Sequence, residues 1–190
     1  MKRIKILLIA LLASGTAFAQ TTWNIDKAHS RIGFNVIHMA ITEVEGEFRD
    51  FDAKVTSTSD DFQNADVEFT AKVASIDTEN ERRDNDLRST NFFNAEKYPE
   101  IKFKGKLVKE GNAYKLKGDF TMLDVTKPVT FDVTYGGTVN TGRGMKAGFK
   151  VTGTINRKDY NLKWDNRLAG GELVVSDDVD IVCKIEMNKA

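Results

Sequence analysis

Apolar and polar residues alternate with a period of two along most of the chain after residue 30, the pattern of β-strands with one buried face. Ile32, Phe34 and Val36 share one face of the first such segment, and the residues between them share the other. Seven strands are predicted in this way: Ile32–His38, Ala65–Val73, Ile101–Leu107, Tyr114–Phe120, Val129–Tyr135, Ala147–Ile155 and Val179–Met187. The pattern favours an all-β, antiparallel fold.

An eighth strand is predicted across Val44–Val55, where the alternation changes phase. Phe48 belongs to the first register and Phe51 to the second. One extra residue near Arg49 and Asp50 would return both phenylalanines to the same face, as a β-bulge does.

One helical insertion is predicted among the strands. Thr78–Glu81 has the form of a capping box, and the charged stretch that follows can continue as a helix to Arg88. In a barrel, such a short helix would lie across one open end. Pro99 then enforces an extended backbone before the strand at Ile101.

The aromatic residues concentrate on the apolar registers. Closing about eight strands into a barrel gives an interior that side chains fill or that holds one small ligand. A sandwich would bury the same residues, so alternation alone does not choose between the two. Gly105, Gly118 and Gly153 also lie on this register, where they either permit strand bending or leave interior space.

Composition excludes several classes of protein. The 190 residues carry 28 basic and 28 acidic side chains, so the excess of positive charge typical of nucleic-acid-binding proteins is missing. A single cysteine excludes an intramolecular disulfide and every cysteine-rich zinc pattern.

The first 19 residues are predicted to be a cleavable signal peptide. A basic start precedes the apolar run Ile6–Ala13, and Ala17–Ala19 has the small-x-small form of a signal peptidase site. The run is too short for a membrane span, and no later stretch is long and apolar enough to be one. Cleavage leaves a single domain over residues 20–190 with 25 basic and 28 acidic residues, a net charge of −3. We therefore expect an exported protein, periplasmic or extracellular, without an integral membrane span.

Four ordered motifs resemble those of the YceI-like family. They are Asp26–His38 (D-x-x-H-S-x-[IV]-x-F-x-[IV]-x-H), Leu87–Phe103 (LRSxxFF…YPxIxF), Val125–Val129 (VTKPV) and Ile155–Tyr160 (INRxD[FY]). The resemblance implies an eight-stranded, lipocalin-like antiparallel barrel with a long apolar cavity. It also implies binding of a polyisoprenoid or another long-chain amphiphile in the bacterial periplasm. Two turns depart from the family pattern: Asp124 and Asn161 stand where the family usually has glycine, and Leu123 replaces a basic residue or histidine.

The resulting hypothesis is a non-enzymatic carrier, with no metal and no cofactor besides the bound lipid. Its expected ligand is an isoprenoid-like lipid or quinone. The sequence leaves open whether the protein forms a homodimer. The predicted ligand-binding residues are Phe34, Val36, His38, Phe69, Phe103, Phe120, Phe131, Phe149, Arg157 and Trp164. The alternatives are a periplasmic redox or quinone-linked partner or enzyme that uses His38 and Arg157, and an interaction protein with a filled core.

Polar residues on the apolar register are the candidates for special roles. For Arg157 two interpretations stay open: a structural ion pair with Asp159 or Asp77, or an anchor for a polar or anionic head group. For His38 a structural role is favoured over a functional one. Arg82, Arg83 and Arg88 are interpreted as the solvated face of the helix.

The remaining candidates receive structural interpretations. Asp26, His29 and Ser30 superficially offer a catalytic triad, but three residues so close in sequence are more typical of a turn. No histidine pair has metal-ligand spacing. Cys183 is expected to be a buried small hydrophobe, whereas Trp23 and Trp164 either line the cavity or plug its ends.

Overall fold

The structure is a computed structural model that describes residues 20–190, so the predicted signal peptide lies outside the described residues. The strands are β1 Thr21–Ile25, β2 Arg31–His38, β3 Thr42–Phe48, β4 Phe51–Ser57, β5 Ala65–Lys72, β6 Ile76–Asp77, β7 Glu100–Glu110, β8 Ala113–Met122, β9 Val125–Asn140, β10 Met145–Asn156 and β11 Asp178–Lys189. Helix α1 is Glu81–Arg88, and short 3₁₀-helices occupy Val73–Ser75 and Arg157–Tyr160.

Antiparallel pairing closes the sheet into a barrel with eight strand positions. Strands β1 and β2 share one position, because both pair with β11: Trp23 with Lys189, and Ile32 with Cys183. Strands β3 and β4 share the next position, and β5 and β7 to β11 complete the circle. The predicted eight-stranded antiparallel barrel with a short helix is confirmed.

The phase change within Val44–Val55 is also confirmed. Arg49 and Asp50 separate β3 from β4, and both flanking phenylalanines, Phe48 and Phe51, are buried. The amide of Asp50 donates to Ser75 Oγ at 2.9 Å. The interruption therefore keeps two aromatic side chains on the inner face, and the backbone amides of Arg49 and Asp50 still donate hydrogen bonds to Ser75.

Helix α1 begins at a different residue from the one that the sequence predicted. Asn80 is the N-cap, and its side-chain oxygen accepts from the amide of Arg83 at 3.1 Å. Thr78 instead lies before the helix, where its hydroxyl donates to the buried carboxylate of Asp84 at 2.5 Å. The capping-box assignment to Thr78 is wrong, because the Thr78 hydroxyl is used in this buried contact.

The outer face of the barrel is charged and cross-linked by lysine–carboxylate pairs. Glu100, for example, receives Lys72 of the adjacent strand β5 at 2.5 Å and Lys102 of its own strand β7 at 2.9 Å. Such exposed pairs each stabilise the fold only slightly. Within residues 20–190, no helix combines the length and the apolar character that a membrane span requires.

Candidate functional site: an apolar cavity with one open end

The barrel encloses a cavity of about 750 Å³, within the range of small-molecule sites. Its wall consists mainly of aliphatic and aromatic side chains that point inward from the strands. All ten residues that the sequence predicted for the ligand site line it: Phe34, Val36, His38, Phe69, Phe103, Phe120, Phe131, Phe149, Arg157 and Trp164.

Glycines explain how a phenylalanine-rich interior leaves this space. A Cβ atom at Gly46 would lie 2.3 Å from Cζ of Phe34, and one at Gly153 would lie 2.5 Å from Cδ1 of Phe131. Each ring therefore folds over a neighbouring glycine instead of extending across the barrel axis. Of the two interpretations of Gly153 in the sequence, the structure supports the one in which it makes interior room.

Gly105 and Gly118 have a second role, since they are paired in register on β7 and β8. A Cβ atom at Gly105 would lie 2.2 Å from the carbonyl oxygen of Lys117. The ring of Phe103 covers both glycines, with Cζ 2.8 Å from either added Cβ position. These two positions therefore permit close strand approach as well as aromatic packing.

An aromatic plug closes one end of the cavity; it comprises Trp23, Phe62, Tyr114, Tyr135 and Phe149. Phe62 is its centre, 1% exposed, with ring centroids 5.1 Å from Trp23 and 5.1 Å from Phe149. The Tyr114 hydroxyl donates to the carbonyl oxygen of Asp61 at 2.8 Å, which fixes the loop that carries Phe62. Trp23 therefore belongs to the plug and does not line the cavity.

The mouth is the opposite end of the cavity, where helix α1, the turn after it and segment 161–177 meet the strands. Trp164 of that segment stacks on Phe92 of the turn, with ring centroids 5.1 Å apart and an interplanar angle of 28°. Arg82 and Arg83 of α1 also line the mouth. Arg82 is exposed as expected, whereas Arg83 folds back and donates from Nε to Thr78 Oγ1 at 2.7 Å.

Arg157 is the most highly bonded side chain at the mouth. The residue is 3% exposed. Its guanidinium donates to Asp177 Oδ1 (2.9 Å) and to the carbonyl oxygens of Ser176 (2.9 Å), Leu162 (3.0 Å), Trp164 (2.7 Å) and Val175 (3.3 Å). A guanidinium has five N–H groups, so all are used. Burial lowers the pKa of Arg157, although Asp177 opposes the shift.

The ion-pair partners predicted for Arg157 are wrong. Asp159 pairs with Lys127 at 3.0 Å, and Asp77 pairs with Arg49 at 2.5 Å. The actual partner, Asp177, lies twenty residues further along the chain, where segment 161–177 returns to the barrel. Arg157 therefore joins the two ends of segment 161–177. The sequence does not predict this contact, because the two ends lie far apart along the chain.

His38 lies half-buried at the end of β2 and lines the cavity. Its backbone forms an isolated bridge with Val175, whose carbonyl oxygen accepts from Arg157. The bridge extends the wall of the mouth beyond the barrel.

Asp26, His29 and Ser30 form the turn between β1 and β2. Asp26 Oδ1 accepts from the amide of Ala28 at 3.1 Å, and Ser30 Oγ accepts from the amide of Glu186 at 2.9 Å. The Ser30 hydroxyl is thus directed to backbone groups and not to His29. Asp26, His29 and Glu186 have the composition of a metal site, but Lys146 Nζ lies among them, 2.8 Å from Asp26 and 2.6 Å from Glu186.

Cys183 is buried in the cavity wall, as the alternation predicts. Desolvation raises the pKa of its thiol to about 11, so the thiol is neutral near pH 7. A neutral buried thiol packs as a small apolar group and reacts slowly.

A closed antiparallel barrel with an apolar cavity open at one end defines a lipocalin-like barrel protein. The chain belongs to the YceI-like family, whose sequence signature matches residues 23–187. A UPF0312 protein of Photorhabdus laumondii is 39% identical over 160 residues, covering 82% of this chain and 83% of that protein. The crystal structure of the Campylobacter jejuni YCEI protein is similar with a TM-score of 0.68 and 32% identity, covering 86% of this chain and 95% of that one.

A third similar structure is a polyisoprenoid-binding domain from Saccharophagus degradans implicated in plant cell wall breakdown. Its TM-score is 0.65 at 12% identity, and the match covers 88% of this chain and 98% of that one. At this identity the similarity shows the fold alone.

The sequence analysis missed several residues of the plug and of the mouth. Phe62 lies in a loop with no periodicity, and its backbone has a φ of 57°, so no strand pattern could place it inside. Phe92 lies in the LRSxxFF motif, and this motif was the signal that could have identified Phe92 as a residue of the mouth. Arg82 and Arg83 were interpreted as solvated because a charged helix face usually is; their position at the mouth follows from where α1 packs.

Proposed function

We propose that this protein binds a polyisoprenoid or a similar long-chain amphiphile in its barrel cavity and acts as a carrier. The supporting observation is the shape and chemistry of the cavity: about 750 Å³, lined by apolar side chains, plugged at one end and open at the other. A linear apolar chain enters such a space end-on and leaves its head group at the mouth.

Hydrophobic burial supplies the affinity in this proposal. Burying one CH₂ group is worth about 0.8 kcal/mol, so a five-carbon isoprene unit contributes roughly 4 kcal/mol before the cost of ordering the chain. Little polar recognition is then needed deep in the barrel. The wall offers few polar groups, in agreement with a ligand whose buried part is hydrocarbon.

The head group is assigned to the mouth, near Arg82 and Arg83. Arg157 is not proposed as its anchor, because the five N–H groups of its guanidinium already donate to protein oxygen atoms. Arg82 is exposed and forms none of the ion pairs among residues 20–190. An anionic or strongly polar head group would meet this free guanidinium first.

Similar proteins support the ligand class only indirectly. The Saccharophagus degradans domain that shares this barrel is a polyisoprenoid-binding domain. Because that similarity establishes the fold alone, the proposal depends on the cavity of this chain.

A redox or quinone-linked function through His38 and Arg157 receives less support. It requires Arg157 to face a ligand, whereas Arg157 binds segment 161–177. A quinone with an isoprenoid tail remains within the proposed ligand class, since its tail would occupy the same cavity. An absorbance spectrum of freshly purified protein distinguishes a bound quinone from a saturated or simple polyprenyl lipid.

The carrier is proposed to work after export to the periplasm. This part depends on the basic start, the apolar run Ile6–Ala13 and the site ending at Ala19. Expression of the full chain in a bacterium followed by fractionation tests it. We expect a periplasmic product whose mass corresponds to a chain beginning at Gln20; an uncleaved product in the cytoplasm would contradict export.

The decisive experiment on the ligand is mass spectrometry of an organic extract from freshly purified protein. We expect a co-purifying long-chain lipid in near-stoichiometric amount. Delipidated protein is then titrated with geranylgeraniol while tryptophan emission is recorded.

The chain provides a matched control for the titration. Trp164 lines the cavity, whereas Trp23 lies in the plug. We expect the Trp23→Phe variant to keep the ligand-dependent change in emission and the Trp164→Phe variant to lose most of it. No lipid in the extract together with no emission change in the wild-type protein would overturn the proposal.

A further inference from the structure

One ring of the aromatic plug forms the floor of the cavity. Phe149 is the plug residue that also lines the cavity, whereas Phe62 and Tyr135 lie behind it. The Phe149 ring stacks on Tyr135, with centroids 5.2 Å apart, and meets the Phe62 ring edge-on at 5.1 Å. An apolar chain that enters from the mouth therefore ends against Phe149.

A β-bulge lies at the level of this floor. Phe149 pairs in register with Tyr135, and the preceding Gly148 pairs with Gly137, so Gly136 is an extra residue on β9. Bulges re-aim side chains and are common next to functional sites. The register of β9 and β10 therefore changes at the pair of rings that closes the cavity.

The loop behind the floor is held to the barrel by hydrogen bonds. This loop, residues 58–64, carries Phe62, and Gln63 Oε1 accepts from the amide of Lys109 at 3.0 Å. The Tyr114 hydroxyl adds its bond to the same loop. Phe62 keeps a φ of 57°, although this backbone region favours glycine or asparagine over a large side chain. A conflict of this kind is typical of functional positions, and here it places a ring directly behind the floor.

The volume of the cavity determines how much hydrocarbon fits above this floor. A water molecule occupies about 30 Å³ in the liquid, and a CH₂ group, which also has one heavy atom and two hydrogens, needs a similar space. A cavity of about 750 Å³ therefore holds about 25 carbon atoms, or roughly five isoprene units. A longer chain leaves its remaining units at the mouth, in contact with water.

We propose that the plug determines the chain length for which this protein is specific, and that Phe149 is the residue against which the buried chain ends. The barrel buries about five isoprene units, so it selects chains of about 25 carbon atoms or more over shorter ones. This inference rests on the proposed carrier function, because it requires a prenyl chain in the cavity. Each unit up to the fifth adds buried hydrocarbon and therefore affinity, whereas further units stay outside the barrel and add little.

Two substitutions at the floor change the available space in opposite directions. Phe149→Ala removes about six carbon atoms, which frees the space of roughly one isoprene unit. Val151, the next inward residue of β10 toward the mouth, also lines the cavity, and Val151→Phe adds about four carbon atoms there. Lys150 lies between the two positions and is exposed on the outer face, so Lys150→Ala is the matched control.

The test is the affinity of the delipidated protein for prenols of three to seven isoprene units. Each prenol is delivered from cyclodextrin, Trp164 emission reports binding, and the Kd is corrected for the affinity of that prenol for cyclodextrin. For the wild type and Lys150→Ala we expect the Kd to fall at least about tenfold per unit up to the fifth and less than about threefold for each further unit. Phe149→Ala should extend the steep fall to the sixth unit, and Val151→Phe should end it at the fourth.

The outcomes separate this inference from the carrier function. A wild-type Kd that keeps falling through the seventh unit would overturn the inference alone, and so would folded floor variants that keep the wild-type dependence on chain length. Wild-type protein without an emission change for any prenol would contradict the carrier function, and this inference with it. Urea unfolding shows whether each variant folds. If Phe149→Ala does not fold, the wild-type series and Val151→Phe, which fills space instead of creating it, still decide the question.

Discussion

Asn161 Nδ2 donates to Asp124 Oδ1 at 3.1 Å, which links the β8–β9 turn to the start of segment 161–177. Both residues stand where the YceI-like family usually has glycine. Asn161 has a φ of 63°, and Leu123, beside Asp124, has a φ of 54°, so both turns use the left-handed region. The two departures from the family pattern therefore contact each other: asparagine tolerates the left-handed backbone and its amide gains a partner.

This contact predicts coupling between the two positions. In a double-mutant cycle with Asp124→Ala and Asn161→Gly, we expect a coupling free energy of about 0.5 kcal/mol, small because the bond is exposed. Asn161→Ala should cost about 1 kcal/mol more than Asn161→Gly, since alanine is strained at a positive φ. Urea unfolding of the four proteins measures both values. Strictly additive effects would show that the hydrogen bond contributes nothing.

Arg157 is predicted to stabilise the fold. Arg157→Met leaves four carbonyl oxygens without their donor and leaves Asp177 with Lys158 alone, so we expect a loss of about 3–5 kcal/mol in the free energy of unfolding. Asp177→Asn should cost less, because the carbonyl contacts remain. Chemical unfolding gives the stabilities, and Trp164 emission reports release of segment 161–177. A stable Arg157→Met variant with impaired lipid binding would instead return Arg157 to a head-group role.

The sequence predicted the parts of this fold that depend on period-two alternation. Phe103, Phe120 and Phe131 alternate with charged or polar residues, and all three reach the cavity. Phe62 and Asn80 could not be predicted in the same way. Phe62 enters the core from a loop with a left-handed backbone. Asn80 replaces Thr78 as N-cap because the Thr78 hydroxyl donates to Asp84, six residues further along the chain.

Contacts between residues that lie far apart in the sequence could not be predicted either. Arg157 on the apolar register signalled a special residue, yet its partner depends on the path of segment 161–177, for which the sequence has no periodicity. Sequence pattern thus predicted which residues face inward. The path of the loops determines which end of the barrel is open.

Filling the cavity should abolish lipid binding without unfolding the barrel. Ala53 lines the cavity beside Phe69, its cross-strand neighbour on β5, whereas Lys54 points outward and pairs with Glu68. We expect Ala53→Phe to lower the lipid recovered by extraction at least about tenfold with an unchanged or raised Tm, because the ring enters open space. Lys54→Phe is the control and should retain lipid. Equal lipid in both variants would place the ligand outside the barrel.

Cys183 should report on cavity occupancy. With the pKa of its buried thiol raised to about 11, alkylation by iodoacetamide at pH 8 should be far slower in the native protein than in urea. Bound lipid should slow the reaction further, since the thiol is in the cavity wall. Mass spectrometry of timed samples measures both rates. Rapid native labelling that lipid does not alter would contradict this position for the thiol.

The Asp26–Lys146–Glu186 cluster predicts how stability depends on pH. The Lys146 ammonium, followed by the His29 ring, holds the pKa of Asp26 well below its usual range. Asp26 therefore stabilises the fold in its ionised form: the contribution is complete above the usual carboxyl pKa of about 4 and is lost as the pH falls further.

The Asp26→Asn variant isolates this contribution from that of other carboxylates. Glu100, for example, has its pKa lowered to about 2 by Lys72 and Lys102, and it also loses stabilisation in acid. At pH 7 we expect Asp26→Asn to be about 1–2 kcal/mol less stable than wild type, a modest amount because the cluster is partly solvated. The difference should shrink as the pH falls below about 4, because the unfolded wild-type chain then binds a proton at Asp26, whereas the folded protein, with its lowered pKa, keeps this carboxylate ionised. Urea unfolding of both proteins across this pH range measures the difference in their free energies of unfolding. A difference that stays constant with pH would show that Asp26 stabilises the fold through the hydrogen bonds of its turn and not through its charge.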